Sequence, residues 1–203
     1  MFLSILKLPA SASFFVLHVG HVERLKGELV TMKKYFTTTF IVQAAMIAAL
    51  YCVLTAIAAG FDLASGAIQV RFSEALTILP FFTPAAIPGV TIGCFLANLI
   101  TGGAMPDVIF GTLATLIGAV GSWLLRKPAS RTRLSRVLVS LPPIISNALI
   151  IPFILRYAYE IPGSIPFFML TVGAGEVISA GIGGQILLAA LEPFKSILFG
   201  EQQ

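Results

Sequence analysis

Charge is scarce in this chain: Asp, Glu, Lys and Arg make up 11% of its 203 residues, against about 25% in a soluble domain. Histidine is scarcer still, with two copies, His18 and His21, both near the N-terminus. The long apolar remainder thus lacks the usual metal ligand and general base, and no metal site is expected there. Cysteine is limited to Cys52 and Cys94, each inside an apolar run and without CxxC or metal-ligand spacing. Both read as small buried hydrophobes. No G-x-x-x-x-G-K-[ST] loop occurs, which excludes ATP binding by that device. No G-x-S-x-G or other nucleophile arrangement occurs either, so an enzyme is disfavoured and no cofactor is expected.

What is present is apolar. The chain is 57% hydrophobic with a mean hydropathy of +0.96, more than a soluble fold of this length can bury, so a membrane protein is expected. The net charge of +4 raises nucleic acid as a partner, but placement argues against it. Arg126, Lys127, Arg131, Arg133 and Arg136 crowd between two apolar runs, the pattern of a cytoplasmic loop obeying the positive-inside rule.

Residues 1–31 differ from the rest, being more polar and weakly patterned. Ala10-Ser-Ala12 loosely resembles a signal-peptide cleavage site, but Lys7 lies within the apolar stretch rather than ahead of it. Met32-Lys-Lys-Tyr is a plausible start, with Lys33 and Lys34 directly before the first apolar run. Lys26-Gly27-Glu28 can be encoded by a ribosome-binding-like AAAGGAGAA shortly upstream. Residues 1–31 are therefore expected to be an extension from a misassigned start or a disordered leader, and 32–203 the membrane domain.

Apolar segments run over about 37–59, 72–82, 86–101, 107–125, 137–157 and 165–191, separated by turn chemistry at Gly60, Thr83-Pro84, Gly102-Gly103, Lys127-Pro128 and Pro162-Gly163. The second is short for a span, about 16 Å as α-helix. Charge parity argues that it crosses: with Lys33-Lys34 and the Arg126–Arg136 cluster both cytoplasmic, an even number of crossings must separate them. The expectation is an all-α bundle of six transmembrane helices with both termini cytoplasmic.

The polar residues within these runs are the site candidates, since a charge at the centre of a membrane costs roughly 2.5–3.5 kcal/mol on insertion scales. Arg71 and Glu74 read either as an ion pair at a helix end or as ligand contacts. Asp107, after Pro106, reads as a first-turn carboxylate or a contact; Asn98 and Asn147 as interhelical glue or contacts. Glu176, deep in the last run behind Gly173 and Gly175, is hardest to explain without a ligand. Glu74, Asn98, Asp107, Asn147 and Glu176 all fall in the outer half, where an acidic surplus suits a neutral or cationic solute. Phe72, Phe81, Phe82, Phe167 and Phe168 offer ring faces for it. The loop 61–70 is placed to cover an outer site. Ala44, Ala45, Ala48 and Ala49 form overlapping small-xxx-small pairs, suited either to packing within the bundle or to docking another membrane subunit.

The run Arg71-Phe-Ser-Glu-Ala-Leu-Thr-Ile-Leu-Pro-Phe-Phe-Thr-Pro-Ala-Ala-Ile-Pro-Gly-Val-Thr-Ile-Gly-Cys-Phe-Leu-Ala-Asn98 closely resembles the QueT family of queuosine-precursor transporters. Pro142-Pro143-Ile-Ile-Ser-Asn147 and Val172-Gly-Ala-Gly-Glu176 support the likeness, which covers about residues 32–195. The resemblance implies the substrate-binding S component of an energy-coupling factor (ECF) transporter in a bacterial cell membrane. Its partners would be a transmembrane coupling subunit, docked on the alanine face of the first helix, and two ABC ATPases. The implied solute is a 7-deazaguanine such as preQ1 or queuine. One carboxylate, Glu74 or Glu176, can accept the two adjacent N–H groups of a guanine-like edge, Asn98 or Asn147 can meet its carbonyl, and phenylalanine rings can stack on it. The rival readings are a proton-coupled secondary transporter and a scaffold subunit whose polar residues only hold helices together.

Overall fold

The computed structural model describes residues 37–61, 70–132 and 134–199. The proposed leader, Lys33, Lys34 and most of the 61–70 loop lie outside the described residues. Two compact units divide at Ile41. In the first, Thr37 Oγ1 accepts the Phe40 amide at 3.2 Å and so caps the start of a helix. The packing described below lies within the second, Val42–Gln203.

Every described element is helical. Helix α1 is Thr38–Gly60. A 3-10 helix, Phe72–Phe81, follows, then α2, Ala86–Ile100. A π-helical turn, Asp107–Gly111, leads into α3, Thr112–Ala129. A second 3-10 segment, Leu134–Ser140, leads into α4, Leu141–Tyr157. The last stretch runs through α5 (Ile165–Glu176), a π-helical segment (Val177–Gly183), α6 (Gly184–Leu191), a 3-10 turn (Glu192–Phe194) and α7 (Lys195–Phe199).

Four continuous helices, Thr38–Gly60, Asp107–Ala129, Ser135–Tyr157 and Ile165–Phe199, are long and apolar enough to cross a membrane. Their surfaces are inverted relative to a soluble protein. Met46, Ile100 and Leu170 are among many large apolar side chains left exposed, while Glu74, Asp107 and Glu176 are buried. Lipid in place of water outside makes that arrangement favourable.

The 3-10 helix lies at the centre, packed against α2, α3, α6 and the Val177–Gly183 segment. Its thin cross-section fits that place: Ser73, Glu74, Leu76, Thr77, Ile78, Leu79 and Pro80 are all buried. A 3-10 helix rises about 2.0 Å per residue, so ten residues reach about 20 Å, further than the α-helical expectation. Runs of this length are uncommon for 3-10 geometry. The neighbours close in tightly, and a Cβ on Gly184 would come 2.9 Å from Ile78 Cγ2.

Helices α1 and α2 approach by their small residues. A Cβ on Gly89 would meet Ala44 O at 2.9 Å, and one on Gly93 would meet Tyr51 Cβ at 2.7 Å and Ala48 O at 3.0 Å. Ala48 is therefore buried and Ala44 half-buried in a small-residue contact within the chain, while Ala45 and Ala49 stay exposed. The alanine face thus divides into a half packed within the chain and a half left exposed.

Candidate functional site

The 3-10 helix brings Arg71, Ser73 and Glu74 into the bundle side by side, and two interlocked polar groups form around them. Arg71 Nη2 lies 3.4 Å from Asp107 Oδ2, with side chains 12% and 6% exposed. Tyr159 Oη donates to the same carboxylate oxygen at 2.9 Å and accepts the Ala104 amide at 3.1 Å. Asn98 Nδ2 donates to the Asp107 carbonyl at 3.4 Å. Gly111 lets the Asp107 carboxylate sit close, since a Cβ there would meet its Oδ1 at 2.8 Å and Asn98 Nδ2 at 3.2 Å.

The second group centres on Glu74. Tyr51, fully buried, donates its hydroxyl to Glu74 Oε1. Asn147 Nδ2 donates to Oε2 at 3.4 Å. Thr55 Oγ1 stands 2.8 Å from Ser73 Oγ and 2.9 Å from Tyr51 O. Thr115 donates to Cys94 Sγ at 3.3 Å. Glu176 completes the cluster, close enough to interact electrostatically with Glu74 and Arg71 and with the Asn147 amide.

The polar residues singled out from sequence therefore meet in one place, drawn from the 3-10 helix, α2, the π turn before α3, α4 and α5. Each of Asp107 and Glu176 sits where α-helical geometry gives way to a π turn, a departure that recurs at functional sites. The Arg71–Glu74 ion pair considered above is not the arrangement formed, because Arg71 turns to Asp107 and Glu74 is held by neutral donors. Asp107 likewise does more than complement a helix dipole.

The phenylalanines do not share the site. Phe81 packs edge-on to Phe82, which stacks on Phe199 at the opposite end of the 3-10 helix. Phe168 is buried with Ile151, Ile154, Leu155 and Val172, while Phe72 and Phe167 are exposed. Tyr51 is the buried ring beside the carboxylates. Its signal in the sequence was an isolated hydroxyl-bearing aromatic in the first apolar run. Ser179 and Thr115 carried no such signal, since hydroxyl side chains are common in membrane helices and bond their own backbone. Cys94, read as a plain hydrophobe, accepts from Thr115 and so joins the network.

Five buried side-chain N or O atoms among the described residues lack a hydrogen-bond partner: Arg71 Nε, Asp107 Oδ1, Arg136 Nε, Glu176 Oε2 and Ser179 Oγ. Three of the five, on Arg71, Asp107 and Glu176, belong to this cluster, and Ser179 lies in the π-helical segment that follows Glu176. Buried polar atoms are nearly always paired in folded proteins, so these atoms are open to a further partner, whether water, ion or ligand. The open set contains a guanidinium donor, two carboxylate acceptors and a hydroxyl, enough to bind a polar heterocycle by its edge. Among the described residues, no group of His, Cys, Asp and Glu could hold a metal ion.

The profile of the QueT transporter family matches residues 41–193. A curated relative, the queuosine precursor transporter QueT of Lactococcus lactis subsp. cremoris (strain MG1363), is 42% identical over 77 residues. That stretch covers 38% of this chain and 45% of the relative, so under half of the relative's length is matched. No solved structure matches. The profile match and the long apolar helices agree: the chain is a multi-pass bacterial membrane protein and belongs to the QueT transporter family, one of transporters rather than enzymes.

Proposed function

We propose that this chain captures a queuosine precursor, a 7-deazaguanine, in the buried cluster around Glu74 and hands it to an ATP-driven partner, as the S component of an ECF importer. The observation that carries the reading is the concentration of unpartnered polar atoms at Arg71, Asp107, Glu176 and Ser179. They lie in an otherwise apolar bundle of a chain whose relative is named for that solute. A deazaguanine presents both N–H donors and a carbonyl acceptor, which carboxylate oxygens and the Arg71 guanidinium complement.

The bundle crosses the membrane six times in this proposal, with both termini cytoplasmic. The 3-10 helix and α2, Phe72–Phe81 and Ala86–Ile100, supply the second and third crossings. Neighbouring helices satisfy the shorter of them, because its side chains meet protein rather than lipid. Ala45 and Ala49, exposed on α1, would receive the coupling subunit, and two ABC ATPases would supply the energy that no motif of this chain provides.

Titration calorimetry of the purified full chain with preQ1 and queuine, and with guanine and riboflavin as comparisons, tests the reading. Saturable binding of a deazaguanine with none of riboflavin is expected. Absence of deazaguanine binding by a folded sample overturns it. A proton-coupled carrier is the second reading, favoured by the nearness of the Glu74 and Glu176 carboxylates. Uptake that persists without ATPase partners and collapses with the proton gradient would select it.

A further inference from the structure

Glu176 and Ser179 stand apart from the rest of the cluster. Their residues are 7% and 4% exposed, and Glu176 Oε2 and Ser179 Oγ both lack a hydrogen-bond partner. They sit three residues apart in the chain, where α5 passes into the π-helical segment. Charge supplies an independent constraint. The buried charged residues among those described are Glu74, Asp107 and Glu176, all acids. Arg71 beside them is ion-paired with Asp107, and Glu74 is satisfied by the neutral donors Tyr51 and Asn147. Glu176 is left with no cation of its own, and a buried carboxylate in that position either holds a proton or meets a cation brought to it.

We infer that Glu176 and Ser179 form the cation-receiving corner of the site and hold a primary ammonium carried by the ligand. The inference rests on the deazaguanine reading above and adds a charge requirement to it. The open acceptors decide between an ammonium and the edge of the heterocycle. A planar edge with two parallel N–H bonds is best met by two coplanar oxygens of one carboxylate. Here the open acceptors are one carboxylate oxygen and one hydroxyl oxygen from different residues. Such a pair suits the diverging N–H bonds of a tetrahedral ammonium. The ring carbonyl then falls to Arg71 Nε and a single ring N–H to Asp107 Oδ1, each of them one open atom.

The test compares two ligands with the same heterocycle, aminomethyl-7-deazaguanine and its uncharged nitrile counterpart. Binding of each to the full-length wild type, Glu176→Gln and Ser179→Ala is measured by titration calorimetry, with thermal unfolding as the check on folding. The wild type should prefer the aminomethyl ligand. Glu176→Gln should weaken that ligand by about ten- to a hundredfold while moving the nitrile by less than about threefold, and Ser179→Ala should act in the same direction more weakly. Equal loss of both ligands in folded variants, or a wild type without preference, overturns the cation corner and leaves the deazaguanine reading in place. A folded wild type that binds neither ligand overturns that reading, and this inference with it.

Discussion

Arg71, the residue ahead of the 3-10 helix, reaches past Glu74, three residues further along the chain, to pair with Asp107 at the π turn before α3. The pair ties the start of the 3-10 helix to the next long helix, and both side chains are nearly buried. Removing one member of such a pair strands the other charge, at a cost of about 3–5 kcal/mol, whereas removing both is far less harmful. Arg71→Met and Asp107→Leu should each lower the unfolding temperature sharply, and the double variant should recover much of the loss. Thermal unfolding of all three in one detergent reads the coupling. A double variant as unstable as the sum of the singles would mean that the pair contributes nothing.

The positions of the helices could be read from hydropathy because lipid rewards unbroken apolar surface. Glu74, Asn98, Asp107, Asn147 and Glu176 could be picked out because polar groups in such runs are costly unless they find one another. Which of them would touch was not legible. Arg71 had Glu74 nearby in sequence and Asp107 only through the fold. The 3-10 and π geometries were hidden as well, since they reside in backbone hydrogen bonding and leave no mark on composition. The phenylalanines misled for a related reason: Phe81 and Phe82 lie at the far end of the 3-10 helix from Glu74, and Phe72, two residues from it, is exposed.

Tyr51 positions Glu74 from α1, its hydroxyl and the Asn147 amide each donating to one of the carboxylate oxygens. Tyr51→Phe keeps the ring and leaves one carboxylate oxygen without its donor, a loss of about 1–3 kcal/mol for a buried group. The variant should unfold at lower temperature and bind the deazaguanine several-fold more weakly. Unchanged stability together with unchanged affinity would remove Tyr51 from the site.

The small residues of α1 and α2 predict opposite outcomes at packed and exposed positions. Gly93→Ala places a methyl 2.7 Å from Tyr51 Cβ, and overpacking of this kind costs about 1–3 kcal/mol. Ala45→Leu and Ala49→Leu point at exposed positions, so stability and ligand binding should hold. Co-purification with the coupling subunit should be lost in the leucine variants. Retained co-purification in both would move the docking surface elsewhere.

Tyr159 gives the outer group a pH signature. It lies beyond the end of α4, where partial burial, and then the Asp107 charge against the opposing Ala104 amide, raises its phenol above the ordinary value. The folded chain thus holds this proton more tightly than the unfolded one. The stabilisation is complete below about pH 10, the unfolded value, and is lost as pH rises towards the folded value. Tyr159→Phe removes the bonds to Asp107 and Ala104. At neutral pH it should cost about 0.5–1.5 kcal/mol, towards the low end because the side chain is partly exposed. The gap between wild type and variant should then narrow as pH climbs above about 10. Unfolding in denaturant at a series of alkaline pH values measures that gap. A gap that stays constant, or widens, would show that the Tyr159 hydroxyl is not the proton being lost.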